Sequence, residues 1–325
     1  MLISNTKFGF KVAINTLGGK NSMKKFLFII FISVTSLFAF NYHLEPKEIA
    51  QGVYMFKGVN EPVKSSNGGA IANSYWIKTA KHWVVIDTGP TYDYAKQAHT
   101  AMKKIADLPI KLVFNTHFHD DHWMGNSYYK ELHVPIYATK IQANEFKPGG
   151  TSRVLKLLKK EDLTKTKIVP IDKIIDKNLT IEVDGTTLSV IKLDKPAHSP
   201  EDFMVYLKER GVLFTGDLLM SERLTSIRHG SVEGSLAAIK LIEKINPKVY
   251  ANGHGKYIDA TGLKETKGYL EQLKATALAA IKKEEELDDF VKSANFDSFK
   301  KYKLFDVAHK ENLYTAFKEY EFFEE

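Results

Sequence analysis

The segment Asn115–Asn126 reads N-T-H-F-H-D-D-H-W-M-G-N and places three of the chain's 11 histidines beside two aspartates. A strand ending in a loop sends His117 and His119 in the same direction, and the turn that follows brings Asp121 and His122 to a neighbouring point. Neutral imidazoles packed this densely have little structural use without a cation to share. The pattern H-x-H-x-D-H therefore points to a metal site, and one such cluster can serve two ions. Further donors stand after later predicted strands: His198 in A-H-S-P, Asp217 in T-G-D and His254 in N-G-H-G. Together the seven are nitrogen and carboxylate ligands of the types that suit zinc, iron or manganese. The chain has no cysteine, which excludes thiolate ligands, a Cys nucleophile and disulfides.

Short apolar runs bounded by turn residues predict strands at 52–57, 74–79, 83–86 and 112–114, the last running into the histidine cluster. Two hairpins are expected, 179–183 with 188–193 around Asp184-Gly185, and 203–207 with 212–214 across Arg210-Gly211. Helical patterns cover 92–105, 140–146, 152–160 and 235–245, followed by longer charge-rich ones at 263–287, 289–294 and 311–321. This succession predicts an α/β layered domain of mixed sheets. The aromatic residues Phe290, Phe296, Phe299, Phe305 and Phe317 predict that the C-terminal helices dock on the body. The Gly- and Ser-rich loop 58–72 is a candidate flap.

A formal charge of +7 and a pI near 9.1 raise the question of a nucleic-acid partner. Residues 1–41, however, carry five lysines and no acidic residue, leaving 41 basic against 39 acidic residues in the remainder. So nearly neutral a body gives no electrostatic ground for nucleic-acid binding. Met23-Lys24-Lys25, the uncharged run of 15 residues Phe26–Phe40 and the small residues Ser36 and Ala39 follow the order of a secretory signal. The run is shorter than the ~20 residues of a membrane span. The expected organisation is a disordered extension at 1–22 with Met23 as a candidate start, a signal peptide at 23–40, a catalytic domain at 41–261 and a helical C-terminal region at 262–325. The expected product is exported, periplasmic or secreted, and free of the membrane once the signal is removed.

The order of these residues resembles the metallo-beta-lactamase superfamily, whose motifs are an early Asp, H-x-H-x-D-H, a His, an Asp and a final His. Here they match Asp87, His117 to His122, His198, Asp217 and His254, over about residues 49–259. The resemblance implies an αββα sandwich with the site at one sheet edge. One metal would sit on His117, His119 and His198 and a second on Asp121, His122 and His254, with Asp217 bridging and Asp87 orienting a ligand. Two divalent ions, Zn2+ or else Fe or Mn, would hold a bridging hydroxide as nucleophile, with Asp121 orienting it or taking a proton.

The implied reaction is hydrolysis of a small ester, thioester, lactone or lactam. Asp217 and the lack of Cys set the chain apart from the clinical lactamases, leaving true beta-lactamase activity as an alternative. The glyoxalase II-like thioesterases usually have a double glycine where this chain has Met124-Gly125-Asn126. Export and a helical C-terminus resemble secreted metallohydrolases found beside sulfur-oxidation and quinoprotein genes. Another alternative is a persulfide dioxygenase with a single iron on His117, His198 and Asp217. For a small-molecule substrate, Trp123, Met124 and Met220 are candidates for an apolar wall, and Arg223, Arg228 and His229 for an anion contact.

Overall fold

The computed structural model describes residues 40–257 and 259–322. The expected extension, and the expected signal apart from Phe40, lie outside these residues. The first sheet sets side by side, in chain order, β1 (Lys47–Ala50), β2 (Val53–Phe56), β3 (Ser74–Lys78), β4 (Trp83–Ile86), β5 (Ile110–Phe114), β6 (Ile136–Thr139) and β7 (Lys173–Ile175). The first four are mutually antiparallel, whereas β4 to β7 are parallel. The second sheet contains β8 (Leu179–Val183), β9 (Thr186–Lys192), β10 (Phe203–Leu207), β11 (Val212–Met220) and β12 (Val249–His254) in the order β12-β11-β10-β9-β8. Its β11–β12 pair is parallel and the rest antiparallel.

The apolar runs explain this layering. In β4 the whole of W-V-V-I is buried: Val84 and Ile86 join the core between the sheets, and Trp83 and Val85 pack outward. Such an unbroken run suits a strand covered on both faces. The inner core pairs Val53, Tyr75, Ile86 and Phe114 of the first sheet with Val190, Phe203, Val205 and Phe214 of the second. The outer face of the first sheet is covered by α1 (Tyr92–Lys103), with Tyr129 of α3 (Asn126–Glu131) beside it. Between these two lies the single turn α2 (Asp120–Trp123); α4 (Lys140–Glu145) and α5 (Arg153–Leu157) follow β6.

Helix α6 (Val232–Ile245) covers the outer face of the second sheet together with the C-terminal helices α7 (Ala260–Lys282), α8 (Leu287–Ser293) and α9 (Phe305–Glu321). One apolar cluster joins Met204 and Leu213 to Ile239, Tyr269, Leu273, Phe290 and Phe317. The C-terminal helices thus share with α6 the fourth layer of the sandwich. No described helix is long and apolar enough to cross a membrane.

Two local expectations change. Strand β11 runs on past Phe214, the predicted end, because every residue of Val212–Met220 is buried. Its pairing with β12 is irregular between Phe214 and Gly216 and again before Met220, and such breaks re-aim side chains. The candidate flap 58–72 is tied down: Gly58 N donates to Asn73 Oδ1 at 3.0 Å and Val59 N to the Ala70 carbonyl at 3.0 Å, while Val63 and Ile71 are buried.

His99 of α1 stacks on Trp76 and bonds the Tyr128 hydroxyl at 2.7 Å. Burial, followed by the nearby Lys103, pushes its pKa from 6.5 down to about 4. Between those values the unfolded chain takes up a proton that the folded one refuses, so stability falls as pH drops through that window. His99→Gln should reduce the loss of thermal midpoint between pH 7.5 and pH 5; an unchanged slope would contradict this role.

Candidate metal centre

All the candidate ligands gather where parallel strands of both sheets end. Asp87 follows β4, the H-x-H-x-D-H segment follows β5, His198 lies in the β9–β10 connection, Asp217 sits within β11 and His254 closes β12. The close approach needed here selects glycine twice. A Cβ on Gly125 would come within 2.3 Å of the Thr88 carbonyl, and one on Gly253 within 1.8 Å of Asp217 Oδ1. Asn115 and Asn126, at the two ends of the motif, bond each other at 2.7 and 3.2 Å and close the segment on itself.

Hydrogen bonds settle which ring nitrogen each histidine offers. His254 Nδ1 donates to the Ile71 carbonyl and His198 Nδ1 to the Ser226 carbonyl, both at 2.7 Å. Thr116 Oγ1 donates to Asp87 Oδ2 at 3.0 Å and is thereby an acceptor for His117 Nδ1 at 3.1 Å. His122 Nδ1 donates to Asp87 Oδ2 at 2.8 Å. Each of these leaves Nε2 facing inward with a lone pair, while His119 turns Nε2 to His229 Nδ1 at 2.9 Å and Nδ1 inward. Asp87 holds its place with φ +57° and accepts the Thr116 N–H at 2.9 Å.

The inward atoms form two groups, His117, His119, His198 and Asp217, and Asp121, His122 and His254, each within 4.8 Å. In the first, His119 Nδ1 lies 3.1 Å from His117 Nε2 and 2.8 Å from His198 Nε2, with Asp217 Oδ2 at 3.2 Å from the latter. In the second, the Nε2 atoms of His122 and His254 are 3.4 Å apart, and Asp121 Oδ2 lies 3.9 and 3.6 Å from them. Asp217 also borders this second group, Oδ1 at 3.2 Å from His122 and Oδ2 at 3.1 Å from His254. Tetrahedral ligands about 2.1 Å from an ion stand ~3.4 Å from one another, so these spacings suit divalent cations. Asp217 Oδ1 is buried without a hydrogen-bond partner, an acceptor that lacks a positive charge.

The electrostatics agree. Burial, then the neighbouring histidines, holds His117 and His119 well below the ordinary histidine range, so both stay neutral and able to ligate. Burial also opposes a proton on His122, yet Asp217 and Asp87 raise its pKa well above 6.5. The carboxylates require positive charge at this point, and a metal cation supplies it in place of a proton.

Chain-wide comparison agrees with the site: a sequence model of the family described as "Metallo-beta-lactamase superfamily" matches residues 67–254. The chain belongs to the metallo-beta-lactamase superfamily. It is 25% identical over 224 residues to a Caenorhabditis elegans protein described as beta-lactamase-like protein 2 homolog, covering 67% of this chain and 66% of that one. Over 226 residues it is 24% identical to a hydroxyacylglutathione hydrolase of Hyphomonas neptunium, covering 65% of this chain and 77% of the relative. A solved metallo-beta-lactamase from Pontibacter korlensis shares the fold with a TM-score of 0.57 and 21% identity, over 70% of this chain and 99% of that one.

Within this superfamily frame, several site residues carry no local sequence signal. Arg153 of α5 reaches Asp121 Oδ1 at 2.5 Å and Asp120 Oδ1 at 3.0 Å. Burial opposes ionisation of Asp121, but Arg153, then His122 and His254, hold its pKa below the ordinary carboxylate range. Asn312 of α9 is fully buried, accepts Ile227 N–H at 2.9 Å and donates to the Thr225 carbonyl at 2.8 Å. It thereby pins the turn whose Ser226 carbonyl orients His198. Of the predicted wall, Met220 lines the cavity over the ligands. Trp123 and Met124 instead belong to a buried cluster with Val63, Ile71 and Val154, and the Trp123 indole donates to the Phe118 carbonyl. They are core, drawn under the site loop by their apolar bulk.

Asn312→Ala should leave Ile227 N–H unpaired and cost ~1–3 kcal/mol of stability. Because His198 loses its brace, metal affinity measured against a chromophoric chelator should also weaken by about tenfold. A loss of stability with unchanged affinity would confine Asn312 to packing.

Proposed function

We propose that the protein is a binuclear metal-dependent hydrolase acting on a small ester, thioester, lactone or lactam. The observation that carries this reading is Asp217, whose carboxylate faces both donor groups across 3.1–3.7 Å. The second group is as complete as the first, which favours two ions over the single iron of a dioxygenase. Zinc suits the donor types best, with iron and manganese accommodated by the same set. Bound divalent cations lower the pKa of water towards about 7 and polarise the bond to be cleaved.

The chain's own residues do the positioning. Asp87 and Thr116 orient His122 and His117, and the carbonyls of Ser226 and Ile71 orient His198 and His254. Asp121, its Oδ1 occupied by Arg153, keeps Oδ2 ionised and turned to the second donor group, where it orients the attacking water. The hydrolytic relative hydroxyacylglutathione hydrolase supports a thioester or ester over a lactam. Export is part of the same reading, supported by the 23–40 segment of the sequence.

A panel of thioester, ester, lactone, phosphodiester and lactam substrates tests this directly. His119→Ala and Asp217→Asn should each lower hydrolysis at least about 100-fold while circular dichroism stays unchanged, and a chelator should abolish wild-type turnover. Undiminished turnover in both variants would overturn the assignment.

A further inference from the structure

Resting on the metal-hydrolase reading, we propose that His229 is a positioning residue for the first donor group. It holds His119 in the tautomer that offers Nδ1 to a metal, and the turn 226–229 thereby acts as one clamp on two of that group's histidines, His119 and His198. Of the sequence candidates for an anion contact, Arg223 and Arg228 line the cavity over the ligands, whereas His229 meets the outward edge of the His119 ring. Its Nδ1 stands 2.9 Å from His119 Nε2, and the two ring centroids are 5.1 Å apart.

His119 needs such a partner more than the other ligands do. His117, His122, His198 and His254 are buried, and each fixes its outer Nδ1 on Thr116, Asp87 or a backbone carbonyl. His119 is only half-buried and is turned the other way, with Nδ1 inward toward His117 and His198. An imidazole can offer either nitrogen to a metal, and the choice is set by the hydrogen bond that the other nitrogen makes. With Nδ1 inward, Nε2 carries the hydrogen and donates it to His229 Nδ1. Phe118 packs beside both rings, 4.7 Å from His119 and 5.5 Å from His229 between centroids.

The His229 side chain is exposed, but the backbone that carries it is fastened on both sides. Ser231 N donates to the Ala197 carbonyl at 2.9 Å and Ser231 Oγ to the Pro196 carbonyl at 2.6 Å, so the residues after His229 are tied to the segment leading into His198. Before it, Ile227 N donates to Asn312 Oδ1 at 2.9 Å, and the Ser226 carbonyl accepts His198 Nδ1 at 2.7 Å. One turn therefore braces both His198 and His119. The second donor group takes its braces from Asp87, Arg153 and the Ile71 carbonyl instead. Loss of the His229 acceptor should thus loosen the first ion more than the second.

The test compares His229→Ala with His229→Phe, which keeps a ring without the acceptor, and with His229→Asn, whose side-chain carbonyl accepts in place of Nδ1. Zinc binding to each is titrated against a chromophoric chelator, and the His119 tautomer of the metal-free protein is read from long-range nitrogen–proton NMR correlations. Wild type should bind two ions and carry the His119 hydrogen on Nε2. His229→Ala and His229→Phe should weaken binding of one ion by about 10- to 100-fold, weaken the other less, and populate the second His119 tautomer. His229→Asn should regain most of both. Wild-type affinity and tautomer in His229→Phe would overturn the proposal, because ring packing alone would then suffice. Losses in His229→Asn equal to those in His229→Ala would overturn it as well. A wild type that binds zinc at neither group, with its His119 tautomer still dependent on His229, would count against the hydrolase reading while upholding the positioning role.

Discussion

The structure turns on a repulsion. Five imidazole nitrogens and the two carboxylates of Asp121 and Asp217 are brought together with their lone pairs and negative charges pointing at common centres, all but His119 on buried side chains. Such an arrangement is unfavourable by itself, because buried anions and acceptors without donors lose their hydration and receive nothing in return. Positive charge from bound metal at those centres would reverse its sign. The surroundings are then intelligible as devices that hold the donors against their mutual repulsion: Asp87 on His122, Thr116 on His117, carbonyls on His198 and His254, Arg153 on Asp121.

These braces come from every layer. The Ile71 carbonyl belongs to the tied-down loop before β3, the Ser226 carbonyl to a turn fastened by Asn312 of α9, and Gly253 clears the space that the Asp217 carboxylate occupies. The C-terminal helices are therefore bound to the metal centre twice over. They cover the second sheet, Asn312 of α9 fastens the turn that orients His198, and Lys303, in the turn before α9, bonds the backbone on either side of Arg223.

Much of this was legible in the sequence because the candidate metal ligands other than Asp217 sit at or after strand ends, where apolar runs give way to polar turns. The motif His117 to His122, and His198, Asp217 and His254 after later runs, stand out for that reason, as do β4, the β8–β9 hairpin and α1 within a residue or two. What escaped was set by tertiary contact. Arg153 lies 32 residues from Asp121 in a helix with no distinctive pattern, and Asn312 is one polar residue in an amphipathic helix. Trp123 and Met124 neighbour the ligands in sequence but point into the core, since α2 turns them under the loop. Asp217 was expected beyond a strand; the irregular pairing of β11 brings it to the site from within one.

The central claim is that one carboxylate joins two cation sites. A crystal structure of the metal-loaded protein, with the metals located by anomalous scattering, tests it most directly. The account predicts two ions per chain, one on His117, His119 and His198 and one on Asp121, His122 and His254, both in contact with Asp217. A single ion on the first group, with the second group empty at saturating metal, would contradict it.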